Sequence, residues 1–356
     1  YLFFVSISGL LSGFLNLHSS YYVAYASTAC LNILMITGAI IGYYHDRNIY
    51  SLALSVFAGG AFQLVVVYAY SYYKGFRFGA LTPKDPDIKN TYKLLVPSLA
   101  GVGISQLNFL IGRMVASFLP IGSISWLFYA NRIFQFPLGI FSVTISTVSL
   151  TELSKARSNG DMGTVNRLID KAIVTLLLVM LPATVGLVGL AEDIIRLVFG
   201  RNAFSHTDII NTAQALQMYS VGLVFYSFAS VFTRIYHSEK NTKKPVKVAV
   251  VAFVVNAVFT LILMKPLGHS GIALASSIAA VVNSVLLYSG IRGYSFSIRN
   301  NLMLLVKMLV ALYAMLICLI LGKVIHIPVL ITIVVCVLAY FGALHLMKVR
   351  IREILR

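Results

Sequence analysis

The stretch "SWLFYANRIFQFPLGIF", residues 125–141, combines two features that decide the fold. Nearly all of its residues are aromatic or aliphatic, which is typical of a segment surrounded by hydrocarbon. It nevertheless contains Arg132, whose guanidinium keeps its positive charge at physiological pH. The fold must therefore give lipid surroundings to the apolar side chains and polar surroundings to this one charge.

The composition of the whole chain predicts a membrane protein. Of its 356 residues, 59% are hydrophobic and only 11% are charged, far from the balance of a soluble domain. Apolar stretches of about 20 residues recur, and each is long enough to cross about 30 Å of hydrocarbon. Because a spanning segment must satisfy its own backbone in lipid, we expect helices and an all-α polytopic membrane protein. The strands of about 10 alternating residues that are typical of membrane barrels do not appear in the sequence.

Apolar runs predict eleven spans, near residues 1–17, 22–43, 50–72, 94–118, 121–150, 172–198, 209–233, 247–264, 270–290, 302–322 and 327–346. The loops on one side of these spans hold 21 Lys and Arg residues, and those on the other side hold five. By the positive-inside rule the basic side is cytoplasmic, so we expect a cytoplasmic C-terminus. The chain enters its first span directly at Tyr1, without a basic leader, and we expect that an upstream portion is missing.

Several classes of function are disfavoured by the residue pattern. The formal net charge is +17, but the bases are dispersed between spans, so we expect no nucleic-acid partner. Seven dispersed histidines form no HxxxH or HExxH pair, the three cysteines have no metal-ligand spacing, and GxSxG and Walker motifs are absent. We therefore predict no metal site, no catalytic residues and no cofactor, and the pattern does not indicate an enzyme.

Two arginines fall inside predicted spans and away from the span ends, while all acidic residues lie in loops or at helix ends. Arg132 is about eleven residues, or near 16 Å, from the outer end of its span, which places it close to mid-bilayer. Such a charge is costly unless it faces a watery cavity or an anionic ligand. Arg113 lies nearer the outer end, where snorkelling to the interface and ligand contact both fit. Other polar residues in apolar helices, such as Asn256 and Asn283, are more often interhelical hydrogen-bonding groups than site residues.

Two local patterns concern the backbone. Pro137 removes a helix donor five residues after Arg132, and Gly139 adds freedom, so we expect a kink and a conformational hinge there. The charged stretch "SKARSNGDMGTVNRLIDK", residues 154–171, fits either a short helix on the membrane surface or a solvated connector.

The opening stretch also carries a family resemblance. A Tyr-Ala-Asn-Arg run followed by Phe-Pro-Leu-Gly, together with "SQLNFLIGRMVASFL", "AFSHTD" and "PLGHSGIALASSIAAVVNSVLLY", resembles the MurJ (MviN) family of lipid II flippases. That family belongs to the MATE-like exporter (MOP) superfamily. The resemblance covers essentially the whole chain.

The resemblance implies a MATE-like bundle of fourteen helices in two lobes and a final pair, of which this chain resembles helices four to fourteen. Residues 1–72 would then be the second half of the N-lobe, 73–93 a cytoplasmic linker, 94–292 the C-lobe, and 302–348 the final pair with a groove for the lipid tail. The family holds the lipid head group in a cationic cavity between the lobes.

The resemblance also implies site residues. Arg132 matches the cavity arginine of the C-lobe, Ser125 a lining position on the same helix, and Gln135 a position that is often acidic in relatives. Asn131 stands where many members have Asp. With Arg113, these residues form the predicted substrate-binding set.

The expected function is a flippase that carries lipid II, an undecaprenyl-diphosphate-linked muropeptide, from the cytoplasmic to the periplasmic leaflet of the bacterial inner membrane. We expect a monomer that contacts membrane lipids and draws on a monovalent ion or the membrane potential. Arginine suits a diphosphate because its planar fork binds phosphate oxygens bidentately. The alternatives are another exporter of the superfamily, for oligosaccharide lipids or drugs, a membrane glycosyltransferase, and a scaffold for cell-wall enzymes.

Overall fold

The computed structural model describes residues 1–18, 20–45, 49–77, 79, 95, 103, 106–107, 110–239, 241, 243–291, 294, 296 and 298–349. Most of the predicted linker and most of residues 94–109 therefore lie outside the described residues. All regular elements in the described part of the chain are helical. The chain divides into two compact units, Tyr1–Lys89 and Asn90–Arg356, here called the N-terminal and C-terminal units.

Within its described residues the N-terminal unit contains three helices, α1 (Leu2–Leu17), α2 (Tyr21–Tyr44) and α3 (Ile49–Tyr73). Leu11 and Leu15 of α1 are buried against Val67 of α3. The side-chain amide of Gln63 donates to the hydroxyl of Thr28 at 3.4 Å, which joins α3 to α2. This polar pair within apolar helices is an interhelical hydrogen bond, as expected for most such positions.

In the C-terminal unit, residues 110–116 are helical and nine further helices follow in the part of the chain that is described. In chain order they are α4 (Ser123–Pro137), α5 (Val143–Ser158), α6 (Met162–Gly189), α7 (Ala191–Phe199), α8 (His206–Val221), α9 (Leu223–Ser238), α10 (Lys243–Ser289), α11 (Ile298–Val324) and α12 (Val329–Leu346). Helix α6 is central because its opposite faces belong to two cores. Ile173 and Leu176 pack into the main core, and Val174 and Leu178 pack against α11 and α12.

Six helices of the described residues are long and apolar enough to cross a membrane, and there are seven if the bent pair α8 and α9 counts as one span. Helix α10 covers two predicted spans, 247–264 and 270–290. Its backbone leaves the helical region at Gly268, with φ 57° and ψ −135°, so it forms two arms. That conformation is open to glycine and strained for other residues.

The boundaries around α6 differ from the sequence-based expectation. The predicted span 172–198 begins too late, since α6 runs from Met162 to Gly189 and a separate helix follows. The expected surface helix or connector at 154–171 is also wrong, because α5 continues to Ser158 and α6 already begins at Met162. The physical reason is the cap at the start of α6.

Asp161 is the N-cap of α6. Its carboxylate accepts hydrogen bonds from the hydroxyl of Thr164 at 2.6 Å and from the N–H of Thr164 at 2.9 Å. These bonds satisfy an otherwise free helix donor and hold the pKa of the Asp161 carboxyl below its usual value. The charged stretch thus forms helix ends rather than a separate element.

The predicted span 209–233 is also not one straight helix. It bends by 44° between α8 and α9, at Gly222. A Cβ atom at Gly222 would lie 2.8 Å from the Cα of Ser277 in the second arm of α10, so only glycine fits this approach. The hydroxyl of Ser277 donates to the carbonyls of Met218 and Tyr219, at 2.6 and 3.1 Å. Carbonyl groups at the bend therefore accept hydrogen bonds from a side chain of the neighbouring helix.

Candidate functional site

Helix α4 has one face that is packed in the main core and another face that is exposed. Ala130 and Phe134 are buried in the main core, whereas Arg132 and Gln135 are exposed. Arg132 lies nine residues after Ser123, so it is about 14 Å along the helix at 1.5 Å per residue. The charge is therefore held deep along an apolar helix and points away from the core.

The backbone after this segment stays helical. Pro137 has helical angles, φ −61° and ψ −37°, and a five-residue π-helical turn follows at Leu138–Ser142. In this turn the N–H of Val143 donates to the carbonyl of Leu138, five residues back. Since proline has no amide hydrogen, it cannot donate to the carbonyl four residues back. The α-helical hydrogen-bond pattern is therefore interrupted here, and the next turn uses bonds to the carbonyl five residues back. The expected hinge thus coincides with a π-helical turn, and its movement stays a prediction.

The open face of α4 borders a cavity of about 500 Å³ that we call the cationic cavity. Its lining consists of Gln106, Leu107, Leu110, Arg113, Phe128, Asn131, Arg132 and Gln135. The guanidinium carbon of Arg132 lies 5.6 Å from the ring centroid of Phe128, a cation–π distance. The ring supports the arginine without neutralising its charge.

The two arginines of the cationic cavity have no acidic partner in the described part of the chain. The ion pairs found there join Arg157 to Glu239, Arg196 to Glu192 and Lys323 to Asp193. Among the same residues neither Arg113 nor Arg132 makes a hydrogen bond. Both guanidinium groups thus keep their donors free for water or for an anionic ligand, which is the arrangement that binds phosphate oxygens.

A second cavity of about 370 Å³ adjoins the first, and we call it the inner cavity. The two cavities share the lining residues Arg113, Phe128, Asn131 and Gln135. The inner cavity reaches between α4, α8, α9 and both arms of α10, where its lining includes Phe134, Tyr219, Tyr226, Asn256, Ser276, Ala279, Ala280 and Asn283. It is walled mainly by aromatic rings, small side chains and neutral amides.

The aromatic wall of the inner cavity is positioned by the bend at Gly222. Tyr219 precedes the bend and stacks on Phe134, with centroids 5.5 Å apart and planes at 27°. Tyr226 follows the bend, and its hydroxyl donates to the carbonyl of Ser276 at 3.0 Å. Phe134 and Tyr226 also form an edge-to-face pair, with ring centroids 5.3 Å apart. Three rings from three helices therefore form one surface.

The structure brings together four of the residues that the sequence indicated. Arg132, Arg113, Gln135 and Asn131 all line the cationic cavity. Ser125 lines neither cavity, although it is exposed one helical turn before Phe128 on the same face of α4.

The sequence reasoning missed Phe128, Tyr219 and Tyr226, because aromatic residues in apolar helices give no local signal of a cavity. Asn256 and Asn283 did stand out as polar residues in such helices, but interhelical hydrogen bonding was the favoured interpretation. Gln217, a residue of that kind, does make such a bond, from its amide to the carbonyl of Val188 at 3.1 Å. Within the described residues, no group of three His, Cys, Asp or Glu residues is placed to hold a metal ion.

Comparison with known proteins assigns the chain to a family. Residues 1–341 match the family model described as "Lipid II flippase MurJ". A "Probable lipid II flippase MurJ" of Rickettsia prowazekii is 34% identical over 291 residues, covering 81% of this chain and 57% of the relative. One of Haemophilus influenzae is 32% identical over 329 residues, covering 88% of this chain and 64% of the relative. The chain thus spans less than two thirds of the length of each of these curated relatives.

Solved structures agree with the family match. The structure titled "Lipid II flippase MurJ, inward closed conformation" is 27% identical and has a TM-score of 0.81, covering 99% of this chain and 72% of that chain. An inward-facing multidrug resistance MATE family transporter of the MOP superfamily has a TM-score of 0.67 at 14% identity, covering 81% and 67%. The second likeness shows the fold alone, and it confirms the MATE-like helical fold predicted from the sequence. The chain is a multi-pass membrane protein that belongs to the MurJ family.

Proposed function

We propose that the protein is a flippase that carries lipid II across the bacterial inner membrane, from the cytoplasmic to the periplasmic leaflet. Membership of the MurJ family supports this proposal, as do the names of the relatives. The observation that carries it is the cationic cavity, where Arg113 and Arg132 lie without an acidic partner among the described residues. Transport across the membrane makes and breaks no covalent bond, so no catalytic residue is required.

In this proposal Arg132 binds the diphosphate of lipid II, and Arg113 contributes a second positive charge. The chemistry fits because a diphosphate carries several anionic oxygens and a guanidinium presents paired donors to them. The cost of holding an arginine within the membrane is offset when an anionic ligand or water surrounds it. Asn131 and Gln135 are uncharged, so they offer hydrogen bonds without competing for the arginines. Ser125 would contact the head group only if the head group extends past Phe128 along α4.

We propose alternating access as the transport step, with the cationic cavity open first to one side of the membrane and then to the other. The π-helical turn after Pro137 supports a hinge here, since such turns interrupt the regular hydrogen-bond ladder. Gly139 lies within that turn and is exposed, and a Cβ added to it would meet no atom within 4 Å, so no neighbouring side chain packs against this position. Coupling to a monovalent ion or to the membrane potential would supply the energy.

We further propose a monomer with a cytoplasmic C-terminus. The excess of Lys and Arg in one set of loops supports this orientation. The division into lobe halves, a linker and a final helix pair with a groove for the lipid tail also stays a proposal. The exposed apolar side chains of α11 and α12, such as Leu309, Tyr313 and Leu338, suit contact with membrane lipid.

A growth test examines the proposal. The whole protein is expressed in bacteria depleted of their own lipid II flippase, as wild type and as the variants Arg132→Ala, Arg132→Lys and Arg196→Ala. Arg196 is the matched control because it is exposed and pairs with Glu192 outside the cavities. We expect growth with wild type and Arg196→Ala, weak growth with Arg132→Lys and none with Arg132→Ala at equal protein levels.

Two outcomes would contradict the proposal. Growth with Arg132→Ala that equals wild type would show that the arginine does not hold the substrate. Failure of the wild-type protein to restore growth, combined with export of cationic drugs from the same cells, would favour an exporter of the wider superfamily.

A further inference from the structure

The inner cavity has a chemistry that differs from that of the cationic cavity. Among the described residues, Arg113, at the shared wall, is the only charged one in its lining. The remaining polar groups are neutral, chiefly the amides of Asn131, Gln135 and Asn283 together with tyrosine and serine hydroxyls. A cavity with such a lining favours an uncharged ligand over a second ion.

Three of these amides are available to a ligand. The side chains of Asn131, Gln135 and Asn283 make no hydrogen bond within the described part of the chain. Polar side chains that line a membrane-embedded cavity need partners, which water supplies when the cavity is empty of ligand. A ligand with hydroxyl and amide groups replaces that water, because it offers donors and acceptors at similar spacing.

Another part of the lining is aromatic. Phe134 and Tyr219 form a stacked pair, and Phe134 and Tyr226 form an edge-to-face pair, so the three rings add an apolar surface to the same cavity as the amides. An apolar face next to hydrogen-bonding groups matches a sugar ring, which has C–H faces and a rim of hydroxyl groups. The volume of about 370 Å³ lies within the range of small-molecule pockets and is too small for a whole sugar–peptide head group.

We propose that the inner cavity binds an N-acetylated sugar of the lipid II head group while the cationic cavity binds its diphosphate. This inference rests on the proposed function. In lipid II the first sugar is bonded directly to the diphosphate, and the two cavities are neighbours that share Arg113, Phe128, Asn131 and Gln135. The arrangement makes the protein selective for a diphosphate lipid that carries a sugar, because the inner cavity adds contacts that a bare prenyl diphosphate does not make.

The test compares two ligands, lipid II and undecaprenyl diphosphate, which share the tail and the diphosphate, whereas only lipid II carries the sugar–peptide head group. Affinities are measured for the whole protein in lipid nanodiscs. The variants are Asn283→Ala, which removes an amide of the inner cavity alone, and Ala280→Leu, which fills part of its volume. The matched control is Val285→Leu, on the same helix arm but 53% exposed and outside both cavities.

We expect wild type to bind lipid II more tightly than undecaprenyl diphosphate. Asn283→Ala should weaken binding of lipid II by roughly 2- to 10-fold, the effect of one lost neutral hydrogen bond, and leave binding of undecaprenyl diphosphate unchanged. Ala280→Leu should act in the same direction, and Val285→Leu should change neither affinity. If Ala280→Leu lowers the melting temperature, the comparison of Asn283→Ala with Val285→Leu decides whether the inference holds.

Unchanged affinity of Asn283→Ala for lipid II overturns the inference, as does an equal loss for both ligands, which would indicate that the cavity holds the tail or acts only through packing. The proposed function fails separately. It fails when wild type binds neither ligand, or when Arg132→Ala binds both as well as wild type does.

Discussion

The tight packing at Gly222 leads to a prediction for Gly222→Ala. The added Cβ would lie 2.8 Å from the Cα and 2.9 Å from the Cβ of Ser277, whereas carbon atoms pack best at about 3.5–4.0 Å. Because one of these atoms belongs to the backbone, a rotamer change does not relieve the clash. Overpacking of this kind costs about 1–3 kcal/mol. We therefore expect a lower melting temperature, measured by thermal unfolding in detergent, and weaker lipid II binding, since Tyr219 and Tyr226 flank the bend.

The control is Gly342→Ala, in the last third of α12. No atom lies within 4 Å of the Cβ position at Gly342, so this substitution should leave the melting temperature unchanged or raise it slightly through lower chain entropy. Gly222→Ala should lower the melting temperature less in a Ser277→Gly background than in wild type, because the clash with the serine side chain is absent while the backbone of residue 277 stays close. Ser277→Gly alone should also be destabilising, since it removes the hydrogen bonds to Met218 and Tyr219. Equal melting temperatures for Gly222→Ala and Gly342→Ala, with no coupling to Ser277→Gly, would refute the close approach of these helices.

Two further predictions concern the backbone of the C-terminal unit. Gly268→Ala should lower the melting temperature, because φ 57° and ψ −135° cost about 1–3 kcal/mol for a residue with a Cβ; a melting temperature equal to that of Gly342→Ala would contradict the break in α10. Asp161→Ala should lower the melting temperature at neutral pH, and its difference from wild type should disappear as the pH falls through the lowered pKa of Asp161, because only the ionised carboxylate accepts both bonds from Thr164. A difference that stays constant over the whole titration would show that the cap does not depend on this charge.

The helical membrane fold and the arginines of the cationic cavity were both predictable from the sequence, because hydrocarbon favours apolar side chains and disfavours charged ones. A charge inside an apolar run is costly, so Arg132 and Arg113 stand out in a count of charges without any knowledge of tertiary structure. Asn131 and Gln135 give no such signal of their own, and they entered the predicted set through the family resemblance.

The inner cavity was not predictable in this way, because it depends on packing between residues far apart in the chain. In the sequence Gly222 is like any other glycine in an apolar span. Its role depends on the close contact with Ser277, which only the folded structure shows. The same holds for Tyr219 and Tyr226, whose rings could equally well face lipid. Pro137 did mark a special point of the helix, but the packing around it decides whether the backbone kinks or widens into a π-helical turn.

The central claim is that the cationic cavity carries the head group of lipid II across the membrane. Its most direct test is the rate at which fluorescent lipid II changes leaflets in proteoliposomes that contain the whole protein. Loss of charge-assisted hydrogen bonds is worth about 1.5–3 kcal/mol, so Arg132→Ala should slow the protein-dependent rate by roughly tenfold or more. Arg196→Ala should keep the wild-type rate. Transport by Arg132→Ala at the wild-type rate, or no acceleration by the wild-type protein, would contradict the account.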